Sequence, residues 1–492
     1  MILPVNAKAP AERPRVGWPT LILYGVGACS TGIKMRALSS FLLIFYNQAM
    51  GMSPARVAFA ITLITVFDAV VDPLTGYLSD NFRSKWGRRH PFMYASALPV
   101  AFAFYFLWNP PAWVTSEGLF FYLLACLMVL RLFDTFFELP SIALAPELIE
   151  DYDRRTVIVS LRIFFRTLAG ALFTVAAFQI FLPESSGGVT ERDGYASFAF
   201  AGSMVMLVSI LTSAAATHRF IPWLRKPERD AAGAAGAASH RDFFGDVLRL
   251  VRVPAARIML ITGMLVAVAS GARTGLDLYF GLYFWELSQN QLSLMASLTA
   301  AATLIGAFVV GPFAARIGKR NAVIAVYIAG FLNGALPVLL RLLGWLPENG
   351  SHALLAILAT EYFLQGLFYV MSAAAMNSML ADVVEEIEVR TGKRAEGLLF
   401  SADAFFSKAV SGVGILISGG ILALIAFPAK ARPGVVPIET LWDLGAVYLP
   451  SVGLLTVVVI FTLSRFPIDR RRHEANLALL AEQRGRATDA SA

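Results

Sequence analysis

The chain of 492 residues is short of charge, cysteine and histidine, and each shortage excludes something. Charged residues make up 15% of it, against about a quarter in soluble domains, so its surface is wrong for a water-facing globule. Its two cysteines, Cys29 and Cys126, fall inside apolar stretches and lack metal-site spacing, which leaves them as packing residues. The five histidines (His90, His218, His240, His352 and His473) are scattered over loops and stretch ends, with no Ser–His or metal pattern. An integral-membrane enzyme is therefore kept only as a remote alternative, and no cofactor is expected. Met1 to Val16 lacks the basic start, apolar stretch and small-residue cleavage site of a signal peptide, so the first span is expected to act as its own insertion signal.

What is abundant is apolar: 57% of the residues are hydrophobic and the mean hydropathy is +0.64. Twelve apolar stretches, each ending in a polar or Pro/Gly break, run over 20–47, 55–79, 91–109, 118–145, 157–182 and 195–220, then 255–285, 291–315, 321–345, 352–380, 396–427 and 443–466. At about 20 residues per span these read as twelve transmembrane helices, and the fold class is an all-α membrane protein. The excess of seven positive charges sits in alternate loops. Arg83, Lys85, Arg88 and Arg89 follow span two, Arg225, Lys226 and Arg229 span six, Arg316, Lys319 and Arg320 span eight, and Arg390, Lys393 and Arg394 span ten. That pattern places both termini in the cytoplasm and accounts for the basic balance through the bilayer, with no nucleic-acid partner. Arginine-rich, alanine-rich usage points to a bacterial source and hence to a bacterial inner membrane.

The longest loop, 222–254, holds the low-complexity run "AAGAAGAAS" and then "FFGDVLRLVR", which reads as a short amphipathic helix at the membrane surface. It separates six spans from six. "GYLSDNFRSKWGRRHP" after span two is echoed by "GPFAARIGKRNA" after span eight, so the halves read as repeats, as in major-facilitator transporters. The expected organisation is a cytoplasmic segment 1–19, a six-helix half 20–221, a linker 222–254, a second half 255–466 and a cytoplasmic tail 467–492.

Ionisable side chains at the bilayer centre each cost roughly 2.5–3.5 kcal/mol on insertion scales, so each needs a partner or a task. This chain places Lys34 and Arg36 in span one, Asp68 and Asp72 in span two, and Arg131, Asp134 and Glu138 in span four. Arg162 and Arg166 follow in span five, Arg273 and Asp277 in span seven, Glu361 in span ten, and Asp403 and Lys408 in span eleven. A bundle needing only stability would use apolar packing and small residues, so the set as a whole points to transport. Asp68 and Asp72, four residues apart, share a helical face one turn apart. Two such acids in a low dielectric need a cation or a shared proton between them. Pro73 follows directly and frees a backbone carbonyl near the pair.

"DAVVDPLTGYLSDNFRSKWGRRHPF" resembles the signature of glycoside–pentoside–hexuronide cation symporters, the group containing melibiose permease. "YGVGA", "ELPSIALAPELIEDYDRRT", "LRIFF", "MLADVVEEIEVRTGKRAEG" and "SADAFFSKAV" agree in order, over roughly Leu21 to Phe466. The resemblance implies a coupling-cation site at Asp68 and Asp72 with Thr135 as a hydroxyl ligand, and substrate contacts at Glu138, Arg162 and Lys408. The coupling ion is H⁺ or Na⁺. Val71 replaces an asparagine beside the second aspartate, which removes an oxygen ligand and tilts the reading towards H⁺. Gly32 stands where the family has a sugar-binding acid, and Arg36 appears one turn further along the same face. A guanidinium suits carboxylate or phosphate, so the substrate expected is a sugar, glycoside or hexuronide, with an amphipathic anion such as a lysophospholipid as the alternative. The resemblance also implies a cytoplasmic gate in which Arg83, Arg88 and Arg89 pair with Asp80 and with acids such as Asp151 or Asp153. The expected partners are one small solute, a coupling cation and the bilayer, and the expected working unit is a monomer.

Overall fold

The computed structural model describes residues 16–149, 152–224, 245, 247–392 and 395–489, and among them there are helices and no strands. The first half comprises α1 (Trp18–Ala49), α2 (Pro54–Asn81), α3 (His90–Trp108), α4 (Leu119–Leu148), α5 (Val157–Phe181) and α6 (Gly194–His218). The second comprises α7 (Pro254–Phe284), α8 (Gln289–Ile317), α9 (Lys319–Leu342), α10 (His352–Thr391), α11 (Glu396–Leu424) and α12 (Ile438–Ser464), followed by α13 (Arg470–Asp489). Eleven of these are long and apolar enough to cross a membrane. The twelfth is α8, counted if its two parts, Gln289–Thr303 and Phe308–Ala314, bent by 51°, form one span. The twelve stretches of the sequence are thus the twelve helices of the bundle.

Two local features shape the interior. Past Arg36, α1 widens into π-helical turns at Ala37–Phe41 and Phe45–Ala49, a geometry that rotates the residues beyond it and often marks functional segments. It turns Asn47 and Gln48 inward, where both are buried. By contrast α2 runs unbroken through Pro73. Pro73, having no N–H, still leaves the carbonyl of Ala69 without its helical donor.

The halves meet along α11, which wedges between α2 and α7. Glycines make this approach possible. A Cβ at Gly412 would lie 2.3 Å from Thr65 Oγ1, and one at Gly419 would lie 2.4 Å from Ala58 Cβ. On the other side, a Cβ at Gly414 would lie 2.1 Å from the Val268 carbonyl. Small residues let backbones come close enough for direct contacts, here Thr62 Oγ1 donating to the Gly412 carbonyl at 2.8 Å and Ser418 Oγ to that of Ala272 at 2.7 Å.

The two ends of the bundle differ. Away from the basic loops, the halves are tied together: Tyr279 OH donates to Asn47 Oδ1 at 2.7 Å, and Gln48 bridges to the Pro428 carbonyl and the Ala431 amide at 3.2 and 2.8 Å. At the basic-loop end, every described ion pair joins elements of a single half. Arg89 meets Glu147 at 2.9 Å and Asp80 at 3.4 Å, Arg88 meets the same two acids, and Lys319 meets Asp382 at 2.6 Å. The halves are therefore tied to each other at the end away from the basic loops, while the described ion pairs at the basic-loop end brace each half separately.

Within the linker, 225–244 and 246 lie outside the described residues. Residues 247–251 are helical, and Val247 and Leu250 are buried in a cluster with α7, α10 and α12. This part of the segment packs its Val247 and Leu250 into the second half, while Leu248 stays exposed.

The glycine contacts yield a test. Gly412→Leu should lower the thermal midpoint by several degrees, in line with overpacking costs of about 1–3 kcal/mol. Gly420→Leu, whose Cβ would meet nothing within 4 Å, should leave it unchanged. Equal responses, measured on detergent-purified protein, would remove the close crossing of α2 and α11.

Candidate functional site

The charged residues of the interior are organised by one face of α4. Arg131, Asp134, Thr135, Glu138 and Ser141 recur at three- and four-residue spacing, so they line up along the side turned to α1, α2 and α5. Around that face the buried charges separate into three groups.

The first group joins the halves. Lys408 Nζ on α11 lies 2.5 Å from Asp72 Oδ2 and 3.4 Å from Asp68 Oδ2 on α2. Thr135 Oγ1 donates to Asp72 Oδ1 at 3.0 Å, and Arg131 lies 3.1 Å from Asp68 Oδ2. Asp68 is 1% exposed, whereas Asp72 and Lys408 are 25% and 39% exposed. The three residues of the expected cation site are thus brought together, with the lysine inside that site rather than apart from it.

A second group lies on α1, α4 and α5. Lys34, 5% exposed, is ion-paired with Asp134 and lies 3.5 Å from Glu138. Arg162 donates to Ser141 Oγ at 2.5 Å and to Tyr24 OH at 3.3 Å, and its guanidinium sits 5.3 Å from the Tyr24 ring centroid. The Tyr24 hydroxyl in turn donates to the Ser141 carbonyl at 2.5 Å. Arg162 and Glu138 therefore stand side by side on a braced surface. Tyr24 and Ser141 had no charge to draw attention to them in the sequence, although Ser141 continues the α4 periodicity.

The third group belongs to the second half. Arg273 on α7 pairs with Glu361 on α10 at 3.0 Å, and Asn333 of α9 donates to the Glu361 carbonyl at 2.9 Å. Arg273 and Glu361, with Asp277, Tyr362 and Tyr448, line a cavity of about 40 Å³, room for no more than a few waters. Arg36 of α1 is within electrostatic reach of Asp277 across the interface.

Two expectations change. Gly32 does not offer a place for a substrate contact. A Cβ there would lie 2.0 Å from the Arg166 carbonyl, and one at Gly170 would lie 2.9 Å from Arg36 Cγ, so α1 and α5 cross backbone to backbone at this point. An acid at Gly32 has no room here, and the glycine is a packing residue. The second change concerns Lys34, left without a role by the sequence: it lies 3.5 Å from Glu138, while Arg36 is exposed. Of the gate residues, Asp80, Arg88 and Arg89 do meet, but on Glu147, which the sequence did not single out. Arg83 has contacts of its own, Asp151 lies outside the described residues, and so does the side chain of Asp153.

Two six-helix halves joined around buried charges have the architecture of a secondary transporter of the major-facilitator kind. Residues 23–470 match the model of the MFS/sugar transport protein family, and the chain belongs to that family, among its glycoside–pentoside–hexuronide cation symporters. It is 26% identical to an uncharacterised symporter of Synechocystis sp., covering 93% of this chain and 96% of that one. It is 22% identical to the isoprimeverose transporter of Lactiplantibacillus pentosus, over 89% and 86% of the two chains. The fold is that of the xylose transporter of E. coli solved in an inward-open conformation, with a TM-score of 0.60, 13% identity, and 94% and 99% of the two chains covered.

The Lys34–Asp134 pair makes a clean test. Lys34→Met strands a buried carboxylate and should cost about 3–5 kcal/mol, seen as lost folded yield. Adding Asp134→Leu should recover most of it. A double variant no better folded than the single one would show that the two charges do not depend on each other.

Proposed function

We propose that the protein is a cation-coupled symporter of a sugar, glycoside or hexuronide-type solute working by alternating access, and that it carries out no covalent step. The observation that carries this reading is the position of Lys408: an ammonium from the second half neutralises the two carboxylates of the first. While it does so the two halves are electrostatically joined through α2 and α11. A cation arriving at Asp72 releases the lysine, so ion occupancy and the relation of the halves depend on each other. The released ammonium then stands at the cleft beside Glu138 and Arg162, where the solute is held.

The basic-loop end faces the cytoplasm in this reading, with both termini there and the protein in a bacterial inner membrane as a functional monomer. The contacts of Arg88 and Arg89 with Asp80 and Glu147 then form the first half's share of the cytoplasmic gate. Arg36 and Arg166 are exposed between the halves, which favours a solute carrying a carboxylate or similar anionic group. The lysophospholipid alternative shares that chemistry and differs in its tail.

In membrane vesicles, Asp72→Asn should abolish gradient-driven accumulation while solute exchange persists. Full ion dependence in that variant would overturn the coupling role of the pair. Offered glucuronides, neutral glycosides and lysophospholipids in turn, the wild type should move the glucuronides saturably. Saturable movement of neutral glycosides alone would defeat the reading of Arg36, and movement of lysophospholipids alone would select the alternative.

A further inference from the structure

A metal ion fits poorly at the carboxylate pair. Each negative charge there is already matched: Asp68 and Asp72 contribute two, and Arg131 and Lys408 supply two in return. The two cations differ in one respect. Lys408 comes from the other half, is 39% exposed and can leave with its helix. Arg131 sits on α4 of the same half, three residues before Asp134, and cannot lose its charge by giving up a proton. It lies on the oxygen of the more buried acid, 3.1 Å from Asp68 Oδ2.

The ligand set points the same way. A hard cation is held by several oxygens converging on one point. Of the four carboxylate oxygens, Asp68 Oδ2 is shared by Arg131 and Lys408, Asp72 Oδ2 faces Lys408 and Asp72 Oδ1 accepts from Thr135, which leaves Asp68 Oδ1, buried without a hydrogen-bond partner, as a single free oxygen where a hard cation needs several. Val71, buried beside them, brings no oxygen. A metal ion entering without displacing a resident cation would add a net positive charge to a neutral cluster beside Asp68, which is 1% exposed, and that is unfavourable away from water. If it displaced Lys408, it would still face the guanidinium.

We propose that Arg131 is an ion-specificity residue: it stands permanently in the metal's place at Asp68 and excludes Na⁺ and Li⁺ from the coupling site. Lys408 is then the exchangeable cation and Arg131 the fixed one, which leaves the proton as the coupled ion. This rests on the reading of Asp68 and Asp72 as the coupling site. Removing the fixed charge should convert the site. With Arg131→Gln the cluster carries one net negative charge and gains an amide oxygen, the two things a sodium site requires.

The test uses purified full-length protein with the metal ions alone. Ligand that binds the folded state raises the thermal midpoint in proportion to the logarithm of its saturation. Wild type should melt at the same temperature in about 100 mM NaCl, LiCl or choline chloride, and Arg131→Gln should be raised by several degrees in NaCl over choline. Arg131→Lys, which keeps the charge, should remain indifferent and controls for loss of the side chain's packing. Specific stabilisation of the wild type by Na⁺ would overturn the proposal. So would a folded Arg131→Gln protein as indifferent to Na⁺ as its parent. If that variant does not fold, Na⁺-driven uptake by wild-type vesicles at zero pH gradient decides the matter, its presence overturning the exclusion and its absence supporting it. Failure of the underlying site reading looks different: Asp72→Asn would then keep gradient-driven accumulation whatever the metal response.

Discussion

Two carboxylates one helical turn apart in a dehydrated interior must be neutralised by something, and much of the structure follows from what does it. Here the neutralising groups are the protein's own. Lys408 reaches across from the second half, and Arg131 reaches from the neighbouring helix. Because α4 carries Arg131 it also carries Asp134 on the same face, and Asp134 requires Lys34 of α1, which in turn lies within 3.5 Å of Glu138. The charge balance around Asp68 and Asp72 is thereby linked to that around Glu138, the residue proposed to contact the solute. Breaking any one pair leaves a buried charge that the next helix is not placed to satisfy.

The second half handles its charges differently. Arg273 and Glu361 are paired within that half around a small cavity, with tyrosines and Asn333 completing the surroundings. Asp277, which also lines that cavity, is within electrostatic reach of Arg36 of the first half. The two halves therefore differ in their charge chemistry: the second pairs Arg273 and Glu361 within itself, whereas the acids Asp68 and Asp72 of the first are met by a lysine of the second.

Much of this was legible in the sequence, because hydropathy and loop charge are imposed by the bilayer and act on every residue of a span. The twelve helices follow from apolar run length. The meeting of Asp68, Asp72 and Thr135 follows from helical spacing and family resemblance. What could not be read was pairing between helices that are distant in the chain. Nothing local to Lys34 says that Asp134, a hundred positions on, will neutralise it. Glu147 looked like a helix-end acid, and Ser141 and Tyr24 carry no charge to account for. Gly32 misled for a definite reason: a missing side chain at a binding position and a missing side chain at a helix crossing look alike until the second helix, with its Arg166 carbonyl, is in place.

The bare strip that Gly412 and Gly419 leave on α11 has a mechanical consequence. Two ridged surfaces can pass one another only by disengaging their side chains, and each disengagement is a barrier. A smooth rail pressed against Ala58, Thr62 and Thr65 has few such teeth to clear. It can act as the fulcrum of a rocker, with Lys408 one turn beyond the end of the rail as the catch. Friction in such a device is concentrated at the catch, so the rate of turnover would be governed by how fast one ammonium lets go.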